Sequence, residues 1–348
     1  MAYYAQPAAP AAAAPAGPPD YEVQNVQDDT ISSLAWSPNA NLLCAASWNN
    51  DVRVWEMNQS GIVPRAALQP AHTGPVLAAS WMPDGTGILT ASADKMAKLW
   101  NLSTNQAQQI AAHDGPIRDV EFFPDQRVFI TTSWDRTLRV WNGQQGTPVN
   151  RVQLPERVWC CHSRGVYLAI ACADKNIYSF DMRNLAQPFR TDASKDNQTT
   201  VVKIFPDQTG LTHASNDGRV SILWYQENPA IGRKNFAFKC HRDVTKKEVH
   251  GINDICFHPT FGTFVTAGGD CSYIFWDHIS QQRLAKPAKK TTPVTAVAFN
   301  NSGQYLAYAL GYDWERGFDG NTPEKRTQIF LHQVTEDEVK PKPKAPGT

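Results

Sequence analysis

Apolar and polar residues alternate along this chain in short runs separated by tight-turn signals. The unit is clearest at 47–55 (SWNNDVRVW), 92–100 (SADKMAKLW) and 133–141 (SWDRTLRVW). Each copy has a small residue, a polar turn and then apolar residues at every second position up to an aromatic, which predicts a strand, a turn and a second strand. The pattern returns at 172–180, 215–223 and 268–276, and a seventh copy is split, with Gly311, Tyr312 and Asp313 as its turn and 328–331 as its second strand. Another alternating run precedes each turn, as in ISSLAWSP from Ile31, VLAASWMP from Val76, IRDVEFFP from Ile117, INDICFHP from Ile252 and VTAVAFNN from Val294. These predict the inner strands.

The last aromatic or apolar position of each unit (Trp55, Trp100, Trp141, Phe180, Leu223, Trp276 and Phe330) recurs at gaps of 45, 41, 39, 43, 53 and 54 residues. Four short strands at such a period are the mark of propeller blades. Seven blades in a ring leave two free strand edges unless the chain ends meet in one blade. YEVQNV at 21–26 is the candidate to close the last blade. The expected organisation is an Ala/Pro-rich disordered leader at 1–20, a seven-bladed all-β propeller at 21–335 and a Lys/Pro-rich flexible tail at 336–348. The leader has neither the basic start nor the apolar run of a signal peptide.

Composition narrows the function classes. The 348 residues carry 33 basic and 33 acidic side chains, so bulk charge does not hold this chain to nucleic acid. Its seven cysteines are odd in number, scattered and never in a CxxC arrangement, which fits a reducing compartment and neither a disulfide framework nor a zinc finger. No run of apolar residues is long enough to span a membrane, and no membrane insertion is expected. Glycine-rich phosphate loops, a nucleophile elbow and HExxH are missing from the sequence. The nearest reactive cluster is Cys160-Cys161-His162, where neighbours on a strand point to opposite faces. No enzyme activity, cofactor or metal is expected.

The period, the Trp276-Asp277 pair and the loops AHTGP at 71–75 and AHDGP at 112–116 resemble the WD40 family. The resemblance implies a buried network in which His72 bonds Asp94, with Ser92 or Thr90 and the indole of Trp100 completing it, and in which His113, Asp135 and Trp141 repeat the arrangement. Both histidines are then structural, and the row of turn carboxylates needs no acid-base role.

Departures from the repeat locate candidate function. Blades 1 and 3 place Trp48 and Trp134 in turns where Ala93, Ala173 and Gly269 stand elsewhere. Exposed on one face, two indoles would anchor a peptide; folded back, each would pack on its own blade. A long insert between blades 5 and 6 carries Lys239, Arg242, Lys246 and Lys247, either as a partner surface beside the indoles or as an ordinary solvated charge run. The last blade's insert at 311–326 combines Trp314 with Arg316, and these, with Tyr273, Lys246 and Lys247, are candidates for RNA or a second partner.

FKCHR at 238–242, the two Ser-Trp turns and FHPTFGTFVTAGGD at 257–270 resemble the Rae/Gle-type mRNA export factors and their sister family, the Bub-type mitotic checkpoint propellers. YDWERG at 312–317 and the Lys/Pro tail are similar to the export branch. The resemblance implies a monomer that pairs with the GLEBS segment of an FG nucleoporin, an acidic and apolar stretch, and the departures from the repeat make Trp48, Trp134, Lys239 and Arg242 its candidate contacts. It further implies weak single-stranded RNA binding by that pair and residence at the nuclear pore, nuclear envelope, nucleus and cytoplasm. The alternatives are a checkpoint adaptor binding GLEBS segments of kinases, and a protein that binds RNA directly.

Overall fold

Each predicted strand-turn-strand unit forms the middle of a four-stranded antiparallel sheet. The structure is a computed structural model and describes residues 19–58, 61–143, 146–194, 197–228, 233–243, 245–315, 317–322 and 325–343. These form seven four-stranded sheets and one two-stranded hairpin. Blade 1 shows the plan: Ile31–Trp36 lies innermost, followed outward by Leu42–Ser47, Val52–Asn58 and Gly61–Leu68. The other inner strands are Val76–Trp81, Ile117–Phe123, Val158–Arg164, Thr199–Ile204, Ile252–Phe257 and Val294–Phe299.

The core is divided among the seven contacts between neighbouring blades. Between blades 1 and 2, for example, Cys44, Val52 and Val54 meet Val76, Trp81, Ile88 and Trp100. Both faces of each sheet are therefore buried, which is why so many inner and middle strands have few polar positions. Trp55, Trp100 and Trp224 are among the largest fully buried side chains, so much of the high tryptophan content fills blade contacts.

The last blade is closed by the N-terminal segment, with Tyr21 opposite Leu331 and Glu22 opposite Phe330. The pairing is shorter than the six residues expected. After Val23, whose N–H donates to Ile329, the chain turns through Asn25 at φ +58° and crosses to blade 1, where the carbonyl of Gln24 accepts from the Trp55 indole. Asp20 fixes the seam: its carboxylate accepts from His332 Nδ1 at 2.8 Å, Tyr308 Oη at 2.6 Å and Lys290 Nζ at 2.8 Å.

Within the expected solvated tail, residues 336–339 pack on the propeller. Glu336–Val339 is a helical turn, Val339 is buried in the contact between blades 6 and 7, and its carbonyl accepts from the Thr263 hydroxyl. Burial of one apolar side chain, together with the Glu338 carboxylate bonded to His332, holds this segment to the propeller. Residues 344–348 and all but the last two residues of the 1–20 leader lie outside the described residues.

Candidate functional site at the channel mouth

In every blade the inner strand gains one extra residue after its first position. The register with the next strand slips between Ile31 and Ser33, Val76 and Ala78, Ile117 and Asp119, Val158 and Cys160, Thr199 and Val201, Ile252 and Asp254, and Val294 and Ala296. The extra residues are Ser32, Leu77, Arg118, Trp159, Thr200, Asn253 and Thr295. A bulge leaves one residue out of the ladder and re-aims its side chain. Here all seven converge on one cavity of about 800 Å³ at the mouth of the central channel.

Four of these residues stitch neighbouring blades, Arg118 among them through a 3.3 Å bond to the Leu77 carbonyl. Ser32 donates to the carbonyl of Val76, Thr200 to that of Ile252, and Asn253 to that of Val294. Blades 2, 3 and 4 contribute Leu77, Arg118 and Trp159, so the rim is apolar, aromatic and cationic on one side.

Trp48, Trp134 and Trp314 also line this cavity. Trp48 is 44% exposed and Trp314 43%, so neither ring folds back into its sheet. Trp134 is partly buried and meets Trp159 edge-on at 5.9 Å, while the guanidinium of Arg157 lies 5.8 Å from the Trp159 ring. Trp314, at φ +61°, is held beside Tyr312 at 5.5 Å.

The cationic candidates lie on the same face, away from the cavity lining. Arg242 donates to the Asp217 carbonyl at 2.6 Å, and Asp217 belongs to the blade 5 turn that corresponds to the Trp48 and Trp134 turns. Arg219 and Arg242 both stand near the Asp217 carboxylate, at 3.5 and 3.7 Å, and Arg219 is directly opposite the exposed Lys239 across two strands. Arg219 went unnoticed in the sequence because it is part of the repeated turn; only the pairing across the strands gathers the three cations. Lys246 and Lys247 are exposed at the tip of a hairpin formed by Arg242–Asp243 and Glu248–Val249. The hairpin returns through His250, whose Nδ1 is 3.4 Å from Glu315, next to Trp314.

Tyr273 is not a surface residue. It is 1% exposed and packs against Tyr308 at 5.1 Å and Phe275 at 5.7 Å between blades 6 and 7, because in a sheet covered on both sides alternation does not bring either face to solvent. Arg316 lies outside the described residues.

The histidine networks serve the scaffold. His72 bonds Asp94 at 2.9 Å and Thr90 at 2.8 Å, and His113 bonds Asp135 at 2.8 Å and Thr131 at 2.6 Å. Trp141 donates to Thr131 as expected, whereas Trp100 donates to Asn105 in its own outer turn, where Asn105 adopts φ +53° and brings its carbonyl within 3.0 Å. A third network was missed: His241 bonds Asp270 at 2.7 Å and Thr266 at 2.8 Å, and Trp276 donates to Thr266. The hairpin inserted between His241 and the inner strand stretches the His-to-Asp spacing from 22 to 29 residues, which hid the repeat.

Burial raises the thiol pKa of Cys160 to about 12 and that of Cys161 well above its usual range, while His162 Nδ1 accepts from the Ile204 N–H. These thiols stay protonated and are poor nucleophiles. Among the described residues no group of three or more His, Cys, Asp or Glu side chains is arranged to hold a metal ion.

The model of the WD domain, G-beta repeat, matches residues 22–56, 65–101, 104–142 and 237–277, a set that includes the three histidines and their aspartate and threonine partners. The chain is 43% identical to Protein RAE1 of Arabidopsis thaliana over 335 residues, covering 94% of each chain. It belongs to the Rae1-type WD40 mRNA export factors. Other members of the family are an mRNA export factor of Danio rerio, 39% identical over 93% of this chain and 92% of its own length, and a poly(A)+ RNA export protein of Schizosaccharomyces pombe, 38% identical over 93% of both.

Proposed function

We propose that this chain is a non-enzymatic adaptor in nuclear mRNA export that binds the acidic and apolar GLEBS segment of an FG nucleoporin at the nuclear pore. The observation that carries the reading is the meeting of Trp48, Trp134 and Trp314 at one cavity, with Lys239, Arg219 and Arg242 on the same face. Rigid indoles supply apolar contact at small entropic cost, and the cations favour an acidic partner. The chain acts as one half of a heterodimer, and the pair binds single-stranded RNA weakly, with Lys246, Lys247 and Trp314 on its path. Names of relatives as mRNA export factors and as a poly(A)+ RNA export protein support a nuclear transport role.

Calorimetry against a GLEBS segment and a short single-stranded RNA over a salt series tests the proposal. Binding of the segment with a much shallower response for RNA is expected, since neutral net charge gives the isolated chain few released counterions. RNA binding far tighter than segment binding overturns the adaptor reading, and recovery of checkpoint kinases in place of pore proteins from nuclear extract would move the chain to the sister branch.

A further inference from the structure

Trp314 stands at the channel mouth in a backbone conformation that it does not favour by itself. Its φ of +61° lies in the left-handed region, which crowds the Cβ of any residue but glycine, and its half-exposed ring has Tyr312 as its aromatic neighbour. Neighbouring elements therefore hold the turn. The Tyr312 carbonyl accepts from the Thr30 hydroxyl at the entry to blade 1 at 2.9 Å, the Tyr312 hydroxyl donates to the Gly317 carbonyl at 2.7 Å, and Asp313 accepts from Asn253 of blade 6 at 3.5 Å.

Gly269 is where this turn meets blade 6. Its N–H donates to the Gly251 carbonyl, as those of Trp48 and Trp134 donate to Thr30 and Pro116, so the three residues occupy one position of the repeated turn. Gly269 is not in the left-handed region, and its backbone does not call for a glycine. Space does. A Cβ there would lie 2.7 Å from Asp313 Oδ2, 3.3 Å from Glu315 Oε2 and 3.6 Å from His250 Cβ. Where blades 1 and 3 project an indole, blade 6 instead receives the two carboxylates that flank Trp314. His250 completes the seat: its Nδ1 is 3.4 Å from Glu315 Oε2, which ties the turn to the base of the inserted hairpin. The blade 6 turn is itself fixed by the buried bond between His241 and Asp270. Neither Gly269 nor His250 lines the cavity.

We propose that Gly269 and His250 are positioning residues for Trp314, and that Trp314 stands in for the rim aromatic that the blade 6 turn lacks. The inference rests on the reading of this face as a peptide site and says how its third indole is delivered there. A partly exposed ion pair such as that of His250 with Glu315 contributes little alone, so the room at Gly269 carries the larger share. A methyl group added at 269 pushes Asp313 and Glu315 off the blade 6 turn, and the residue between them moves too. An anchor that was fixed in advance must then be ordered at the moment of binding, which weakens the complex.

Fluorine NMR of the full chain labelled with fluorotryptophan gives the first readout. The resonance lost in Trp314→Phe belongs to Trp314, and it should move in Gly269→Ala and, by less, in His250→Ala while the remaining tryptophan signals stay in place. Calorimetry with the GLEBS segment gives the second. Gly269→Ala should weaken binding about five- to tenfold, the scale of an interface anchor, and His250→Ala about twofold, the scale of a surface pair. His250→Gln, which keeps a donor for Glu315, should restore most of that loss. In a Trp314→Ala background neither substitution should have an effect, because the cycle isolates what runs through the indole. An unmoved Trp314 resonance in Gly269→Ala, a segment that binds this variant as tightly as the parent, or a loss as large without the indole as with it overturns the proposal. If Gly269→Ala does not fold, His250→Ala and Glu315→Ala carry the same cycle. A segment that binds while the resonance stays still sinks this inference and leaves the function standing. A resonance that moves as expected in a chain that binds no segment does the reverse.

Discussion

Tyr308 donates a 2.6 Å hydrogen bond to Asp20, joining the second strand of blade 7 to a residue 288 positions away at the other end of the chain. That carboxylate also accepts from His332 and Lys290, and His332 in turn reaches Glu338 at 3.0 Å. Burial opposes the charge on His332, but the bonds to Asp20 and Glu338 push its pKa up to about 9. Burial likewise disfavours the Asp20 carboxylate, and the bonds from His332, Lys290 and Tyr308 outweigh it and hold the carboxyl well below its usual range.

Ring closure should therefore depend on pH with a defined sign. A histidine raised in the folded state contributes stability that is complete below its unfolded pKa of about 6.5 and is lost as pH rises through about 9. Thermal melts of the parent and of His332→Gln should differ most near pH 6 and converge by pH 10. Asp20→Ala, which strands His332 and Lys290, should cost about 2–4 kcal/mol at neutral pH, and removal of residues 20–26 should lower the melting temperature further by freeing a strand edge. A deletion variant that melts like the parent would refute the seam.

Glu121 works in the opposite direction. Burial, then the neighbouring Asp119, raises its carboxyl to about 7, against a bond that it accepts from the Ser163 hydroxyl at 3.2 Å. The folded state thus holds a proton that the unfolded chain releases near pH 4.5, so stability falls as pH rises from there through 7. Glu121→Gln should be more stable than the parent by about 1–3 kcal/mol at pH 8 and indistinguishable from it near pH 4. Denaturant midpoints at the two pH values provide the check, and equal midpoints at pH 8 would contradict the assignment.

His241 should be as important to the scaffold as the two histidines with ordinary spacing. His241→Ala takes one buried hydrogen-bond partner from Asp270 and one from Thr266, and a loss of about 2–4 kcal/mol is expected. His72→Ala should cost a similar amount by the same measurement.

For the peptide surface, Trp48→Ala should weaken binding of the nucleoporin segment by about 1–2 kcal/mol at unchanged melting temperature. Arg242→Glu should weaken it comparably, but it also breaks the bond to the Asp217 carbonyl, so its stability must be measured alongside. Lys239→Glu is the cleaner charge probe because Lys239 is exposed. Unaltered binding in all three would remove the peptide from this face.

The blades, their inner strands and the closing strand were legible because turns and alternation repeat at nearly constant spacing. The two turn tryptophans were legible as well, since each replaces a small residue in an otherwise uniform turn. Arg118 and Trp159 were not, because a bulge is one unpaired residue in a run that still alternates, and only the register against the next strand reveals it. Tyr273 misled for a related reason: its aromatic ring suits stacking equally well at a surface or between two blades. The tail misled because lysine and proline dominate its composition, whereas the single apolar Val339 decides where it lies.

The sevenfold bulge also separates two tasks that most β-proteins must solve with the same side chains. Leu77, Trp159 and Thr295 stand outside the ladder, and among the described residues their side chains make no hydrogen bond to a neighbouring blade. Exchanging the letters at these places would recolour the aperture while the masonry around it stays put, so a lineage of such discs can change what it admits at the centre long before it changes how it is built.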